Sequence, residues 1–154
     1  MFAHESLNVY QRSLDFIEWA SPVLAELPGS LSVRKQLDRA STSIPLNIAE
    51  GNGKFSPRDR ARYWQTAHGS ALECAACLDV AVAKGRLTKA GIPEGKSLLL
   101  EIVRMLLKLL DQLDCRVEED PAEYGVSRTT EDLSKGVSPG DVNGYGSGRR
   151  RERE

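Results

Sequence analysis

Apolar side chains recur along most of this chain at alternating steps of three and four residues. That spacing lines one face of an α-helix, and it predicts four helices. The first spans residues 7 to 27. Leu7, Tyr10, Leu14, Ile17, Ser21 and Leu24 form its leading stripe, separated by Arg12, Asp15, Glu18 and Glu26, and Phe16, Trp19, Val23 and Leu27 form a second strip. Pro22 predicts a kink near residues 18–21, and Pro28-Gly29-Ser30 reads as a turn.

The second helix, from about Ser32 to Gly51, is the stretch around which the rest is organised. Leu37, Ala40, Ile44 and Ile48 make its apolar face, and Arg39, Ser43, Asn47 and Glu50 stack beside them as a polar stripe. Pro45 removes a backbone donor and crowds the carbonyl four residues back, so a kink or local break is expected there. The hydroxyls of Ser41, Thr42 and Ser43 could satisfy the groups it frees. Gly51-Asn52-Gly53 reads as a left-handed cap that ends the helix.

The third helix has the clearest start signal, with Ser56 at the N-cap, Pro57 at the first helical position and Asp59 at the reciprocal capping-box site. It is expected to run to about Lys84, before Gly85. Its seam of Ala67, Ala71, Cys74, Leu78 and Ala81 is made largely of small side chains, which let a neighbouring helix approach closely. Residues 88 to 95 connect it to a fourth helix opened by Pro93 and reaching about Glu118. There Leu99, Ile102, Leu106, Leu109 and Leu113 form one seam, and Leu100, Val103, Leu107 and Leu110 form another beside it. Two seams are more apolar surface than three partner helices cover, so the second is a candidate oligomer interface. Four long helices with short links predict an all-α, antiparallel up-down four-helix bundle over residues 1–118.

Residues 119–154 lose this periodicity. They are rich in Gly, Ser, Pro, Asp and Glu and close on Arg-rich sequence, which reads as a disordered C-terminal tail. The length of 154 residues suits one domain, and a charged fraction of 28% beside 40% hydrophobic residues is soluble globular composition. No apolar run approaches the roughly 20 residues of a membrane helix and no secretory signal is evident, so a cytoplasmic protein without a membrane partner is expected. Cys74, Cys77 and Cys115 are an odd number in apolar helical surroundings and read as small core residues. The net charge of −1 gives no global argument for nucleic acid. The tail holds six basic and eight acidic residues, leaving fifteen basic and fourteen acidic in residues 1–118.

Candidate chemistry is sparse. No glutamate is followed three positions later by histidine, so the di-iron bundle pattern is missing; no metal, cofactor or catalytic residue is assigned. Cys74-x-x-Cys77 lies in mid-helix rather than at a helix N-terminus, which favours packing over redox chemistry. Arg39, Ser43, Asn47 and Glu50 could meet Ser70 and Glu73 of an antiparallel neighbour as a structural polar network. If that network is buried, losing Glu50 or Glu73 costs on the order of 2–4 kcal/mol. An enzyme using these two glutamates is the weakest reading, because no nucleophile–base pair accompanies them. Lys54, Arg58, Arg60 and Arg62 form a basic cluster where the second and third helices join. Such a cluster is either a solvated face or, repeated around a ring, a rim able to meet phosphates. Arg34 and Lys35 lie at the other end of the second helix, with Arg86 and Lys89 in the turn nearby. Arg149, Arg150 and Arg151 could add phosphate contacts.

Two motifs carry a resemblance. Arg39, Ala40, Ser43, Ile44, Asn47, Ile48, Ala49, Glu50 and Gly51 form RA-x-x-SI-x-x-NIAEG, followed by Ala67, Gly69, Ser70 and Glu73 as A-x-GS-x-x-E. With the opening LNVYQRSLDF, they make residues 5 to 115 resemble the four-helix-bundle family of 23S rRNA intervening-sequence proteins. That family includes relatives of the accessory variability determinant of diversity-generating retroelements. The resemblance implies a homopentameric ring of antiparallel bundles, and it does not imply an enzyme. The retroelement relatives are basic and bind nucleic acid and a reverse transcriptase, whereas this chain is nearly neutral. A non-enzymatic binding or scaffold module is therefore expected, with itself and RNA or an RNA–protein complex as partners. The alternative is a protein-interaction ring with no nucleic-acid role.

Overall fold

The computed structural model describes the backbone of residues 1–119 and the side chains of residues 1–113. The expected tail, with Arg149, Arg150 and Arg151, and the side chain of Cys115 lie outside the described residues. A short 3-10 turn, Ala3–Ser6, leads into α1 (Asn8–Glu26), α2 (Ser32–Asn52), α3 (Pro57–Ala83) and α4 (Pro93–Glu119), with a second 3-10 turn at Lys89–Gly91. Each helix packs on the one before it, and α1 closes the bundle against α4. The fold is the expected all-α up-down bundle. One pole carries the N-terminal turn, the α2–α3 turn and the end of α4; the opposite pole carries the α1–α2 and α3–α4 connections. No helix among the described residues is long and apolar enough to cross a membrane.

The core is continuous from Val9 to Leu113, with Phe16, Leu37, Ile44, Ile48, Leu78, Leu99, Ile102 and Leu106 among its fully buried members. In α2 and α3 the buried faces are the expected ones, and α2 extends its face through Val33 and Gly51. In α1 the order of the two stripes is reversed. Val9, Ser13, Phe16 and Ala20 are buried, whereas Leu14 of the leading stripe is 38% exposed. Ser13 hides this face in the sequence, but its hydroxyl is satisfied by donating to the Tyr10 carbonyl at 2.6 Å, so a polar residue sits in the core without an orphaned group.

The prolines do not break their helices: α1 continues through Pro22 and α2 through Pro45. Pro45 is itself buried, so its ring contributes to packing. The hydroxyls of Ser41 and Thr42 both donate to the Asp38 carbonyl, at 2.9 and 3.0 Å, rather than to the Ser41 carbonyl that Pro45 leaves unbonded. The expected left-handed cap is also absent from the end of α2. Gly53 is right-handed with φ −80°, and among the described residues Gly85 alone has positive φ, at 64°. Gly85 closes α3 with paired bonds: its N–H donates to the Val82 carbonyl and that of Arg86 to the Ala81 carbonyl, both at 2.9 Å.

Gly51 serves close approach. A Cβ at this position would come within 2.7 Å of Trp64 Cδ1 and 3.0 Å of Tyr63 Cβ, so only glycine lets α3 press onto α2 here. Gly95 does the same for α1 and α4, since a Cβ there would overlap the Trp19 ring. At the far pole Arg34 is occupied structurally: its Nε donates to the Leu24 carbonyl at 2.8 Å and so covers the C-terminus of α1.

Candidate functional site

Because α2 and α3 run antiparallel, the polar stripe of one meets that of the other. Ser70 Oγ donates to the Thr66 carbonyl at 3.0 Å, which uses its proton. Ser43 Oγ, 2.8 Å away, must then be the donor to Ser70. Asn47 Nδ2 completes the chain by donating to Ser43 Oγ at 3.0 Å and to the Ser43 carbonyl at 2.8 Å. One turn of α2 and one of α3 are thus joined by hydrogen bonds pointing one way. Arg39 Nη2 pairs with Glu73 Oε1 at 2.7 Å at the edge of the same seam.

Of the six expected network residues, Ser43, Asn47 and Ser70 form one hydrogen-bonded chain, Arg39 and Glu73 form a separate ion pair, and Glu50 joins neither. It sits about 16 Å along α2 from Arg39, eleven residues at 1.5 Å each. It pairs instead with Lys54, Nζ to Oε1 at 3.2 Å. The Tyr63 side chain, followed by Lys54, holds the Glu50 carboxyl below the usual range, and Glu50 raises Lys54 in turn. Two carboxylates with separate partners are not a catalytic pair.

Nor is the network deeply buried. Ser70 is buried, but the Arg39 and Glu73 side chains are 73% and 38% exposed. Solvent screening leaves such an ion pair worth at most about 1 kcal/mol, below the cost expected for a buried one. An open groove on the outer side of α2, lined by Lys35, Asp38, Arg39, Thr42, Ser43, Leu46 and Asn47, runs past these residues.

Cys74 and Cys77 are buried on the inner side of α3. Burial, with Cys77 and Glu73 nearby, pushes the Cys74 thiol up to about 12, and burial raises Cys77 as well. Both are therefore protonated and inert near neutral pH, the opposite of an activated redox pair. No group of three His, Cys, Asp or Glu side chains able to hold a metal occurs among the described residues.

The basic cluster divides into an inner and an outer half. Lys54 leans over the Tyr63 ring, 4.7 Å from its centroid, while held by Glu50. Arg60 turns back to donate to the Lys54 carbonyl at 2.8 Å, its guanidinium 5.9 Å from the Trp64 ring. Arg58 and Arg62, one turn apart on α3, are exposed. Phe55, in the turn that leads into α3, is fully exposed, and Asp59, between the two arginines in the chain, has its N–H capped by Ser56 Oγ at 3.4 Å.

The second apolar seam of α4 is the other notable surface. Lys96 pairs with Asp79 of α3, which marks the side of α4 next to α3. Leu100, Val103, Leu107 and Leu110 continue from Lys96 in steps of four and three, so they share that side. Leu100 and Leu107 are 48% and 45% exposed, with Val103 and Leu110 half-buried. Leu72, two turns before Asp79 on α3, is 51% exposed on the same face. Phe55 and Leu72 carried no signal in the sequence, because exposure depends on which face the tertiary fold leaves uncovered.

Known proteins bear on this arrangement as follows. The family model described as 23S rRNA-intervening sequence protein matches residues 5–108. A 1.70 Å crystal structure from Bacteroides thetaiotaomicron VPI-5482, described as a protein with unknown function from the S23 ribosomal protein family, is similar with a TM-score of 0.62. It is 23% identical and covers 66% of this chain and 97% of its own, a likeness that speaks for the fold. No protein of curated function matches.

Proposed function

Because the chain belongs to the 23S rRNA-intervening sequence protein family, we propose that it is a non-enzymatic binding module. In this reading it assembles through its α3–α4 face and presents its α2–α3 pole to the phosphates of structured RNA, free or within an RNA–protein complex. The observation that carries the reading is the exposure of Arg58 and Arg62 near one pole, while Lys54 pairs with Glu50 and Arg60 donates to the Lys54 carbonyl. Arginine presents a planar fork suited to phosphate oxygens. A single nearly neutral bundle has little long-range attraction for RNA. In a closed ring the two arginines repeat once per subunit, and the summed rim supplies the charge that one copy lacks. A homopentamer, as the sequence resemblance implies, would be such a ring. The retroelement relatives named by that resemblance belong to the same proposal: a reverse-transcription complex is one setting in which the pole could meet RNA.

Binding of a structured RNA to the full chain across a salt series tests this reading, with an Arg58→Glu/Arg62→Glu variant alongside. Affinity is expected to fall steeply with salt and to be lost in the variant, whose fold is unchanged because both side chains are exposed. Absence of binding at low salt overturns it. The exposed Leu72, Leu100 and Leu107 favour a second reading, in which the ring recruits a protein through that apolar face and has no nucleic-acid role.

A further inference from the structure

Phe55 occupies the turn between α2 and α3 and is 101% exposed, so its ring packs on nothing in the bundle. The turn is built without it. The Gly53 N–H donates to the Ala49 and Glu50 carbonyls, that of Lys54 donates to the Gly51 carbonyl, and Ser56 caps α3. A Ser, Asn or Gly would serve this backbone equally well. An aromatic ring here forgoes the stabilisation that burial would bring.

Its surroundings narrow the choice of ligand. Lys54 is drawn toward Glu50 and Tyr63, and Arg60 toward the Lys54 carbonyl and Trp64. The exposed charges that follow Phe55 in the first two turns of α3 are Arg58, Asp59 and Arg62. We propose that Phe55 is a stacking platform for an unpaired nucleobase, with Arg58 and Arg62 meeting the flanking phosphates. The RNA this pole recognises is therefore one with bases free of the helix, in a loop, a bulge or a single-stranded end.

The proposal rests on the reading of the pole as an RNA-facing surface and narrows it to a substrate class. An unpaired nucleotide offers a π-face and an anionic linkage side by side, which an exposed ring and the exposed arginines that follow it on α3 can engage together. Continuous A-form duplex keeps its base faces stacked within the helix and would leave the ring unused.

The full-length protein is titrated with an RNA hairpin carrying 2-aminopurine in its loop and with a fully paired duplex of equal length. Phe55→Ala, Phe55→Leu and Phe55→Trp are compared with the wild type. The wild type is expected to prefer the hairpin by roughly tenfold, the scale of one base stacked on one ring, and to change the 2-aminopurine emission. Phe55→Ala and Phe55→Leu lose the preference and the emission change but keep the salt dependence and the melting temperature, and Phe55→Trp retains both. Hairpin preference that survives in Phe55→Ala overturns the stacking platform, as does a Phe55→Leu variant equal to the wild type, since leucine keeps apolar contact without a ring. Salt-dependent binding with no loop preference removes this inference and leaves the RNA reading standing. No RNA binding by the wild type removes both.

Discussion

At the scale of single residues, Cys74 shows how burial sets chemistry. Its thiol titrates near 9.0 when unconstrained and is pushed up to about 12 in the fold. A value raised by folding means that the stabilising contribution is whole below pH 9.0 and is lost as pH rises toward 12. Across that window stability should fall by on the order of 1 kcal/mol per pH unit from this group. Cys74→Ala should remove that share of the slope, measured as urea midpoints from about pH 8 to about pH 11. Equal slopes in the two proteins would mean that the thiol ionises freely in the fold. The inertness of this CxxC pair was readable from its mid-helix position. The Ser43–Ser70 meeting was readable as well, from like spacing on two antiparallel helices. Glu50 was misassigned because Lys54 and Tyr63 compete for it locally, a competition that spacing alone does not rank.

At the scale of the helices, two glycines with the same propensity do opposite things. Gly51 lies where a Cβ would strike Trp64, whose indole N–H reaches back to the Ile48 carbonyl at 3.4 Å. Gly51→Ala should therefore force α2 and α3 apart and destabilise by about 1–3 kcal/mol. Gly69, exposed in the interior of α3, has nothing within 4 Å of a built Cβ, and Gly69→Ala should stabilise by about 0.5–1 kcal/mol. Denaturant midpoints moving in opposite directions check the contrast; a common direction would contradict the packing at Gly51. Helix number, order and most boundaries followed from periodicity and from the Ser56-Pro57 start. Packing roles were harder to read. A glycine-asparagine-glycine run looks the same whether it ends a helix by left-handed backbone or lets a tryptophan approach, and a serine at a core position conceals a heptad until its hydroxyl partner is known.

At the scale of the whole molecule, the α3–α4 face is the surface proposed for assembly. Leu100 and Leu107 stand half-exposed along it, and burying an apolar side chain yields about 1.5–3 kcal/mol. Leu100→Glu/Leu107→Glu should dissociate an assembly built on this face into folded monomers, read as a drop in sedimentation mass at unchanged helical content. Retained mass would place the subunit contact elsewhere. The up-down topology also has a practical result for any such measurement. Met1, the α2–α3 turn and the end of α4 share one pole, while Lys89 stands exposed at the other. Anchoring the protein to a sensor surface through its N-terminus would press Phe55, Arg58 and Arg62 against the support. Anchoring it through the turn at Lys89–Gly91 would orient the same three side chains toward the analyte.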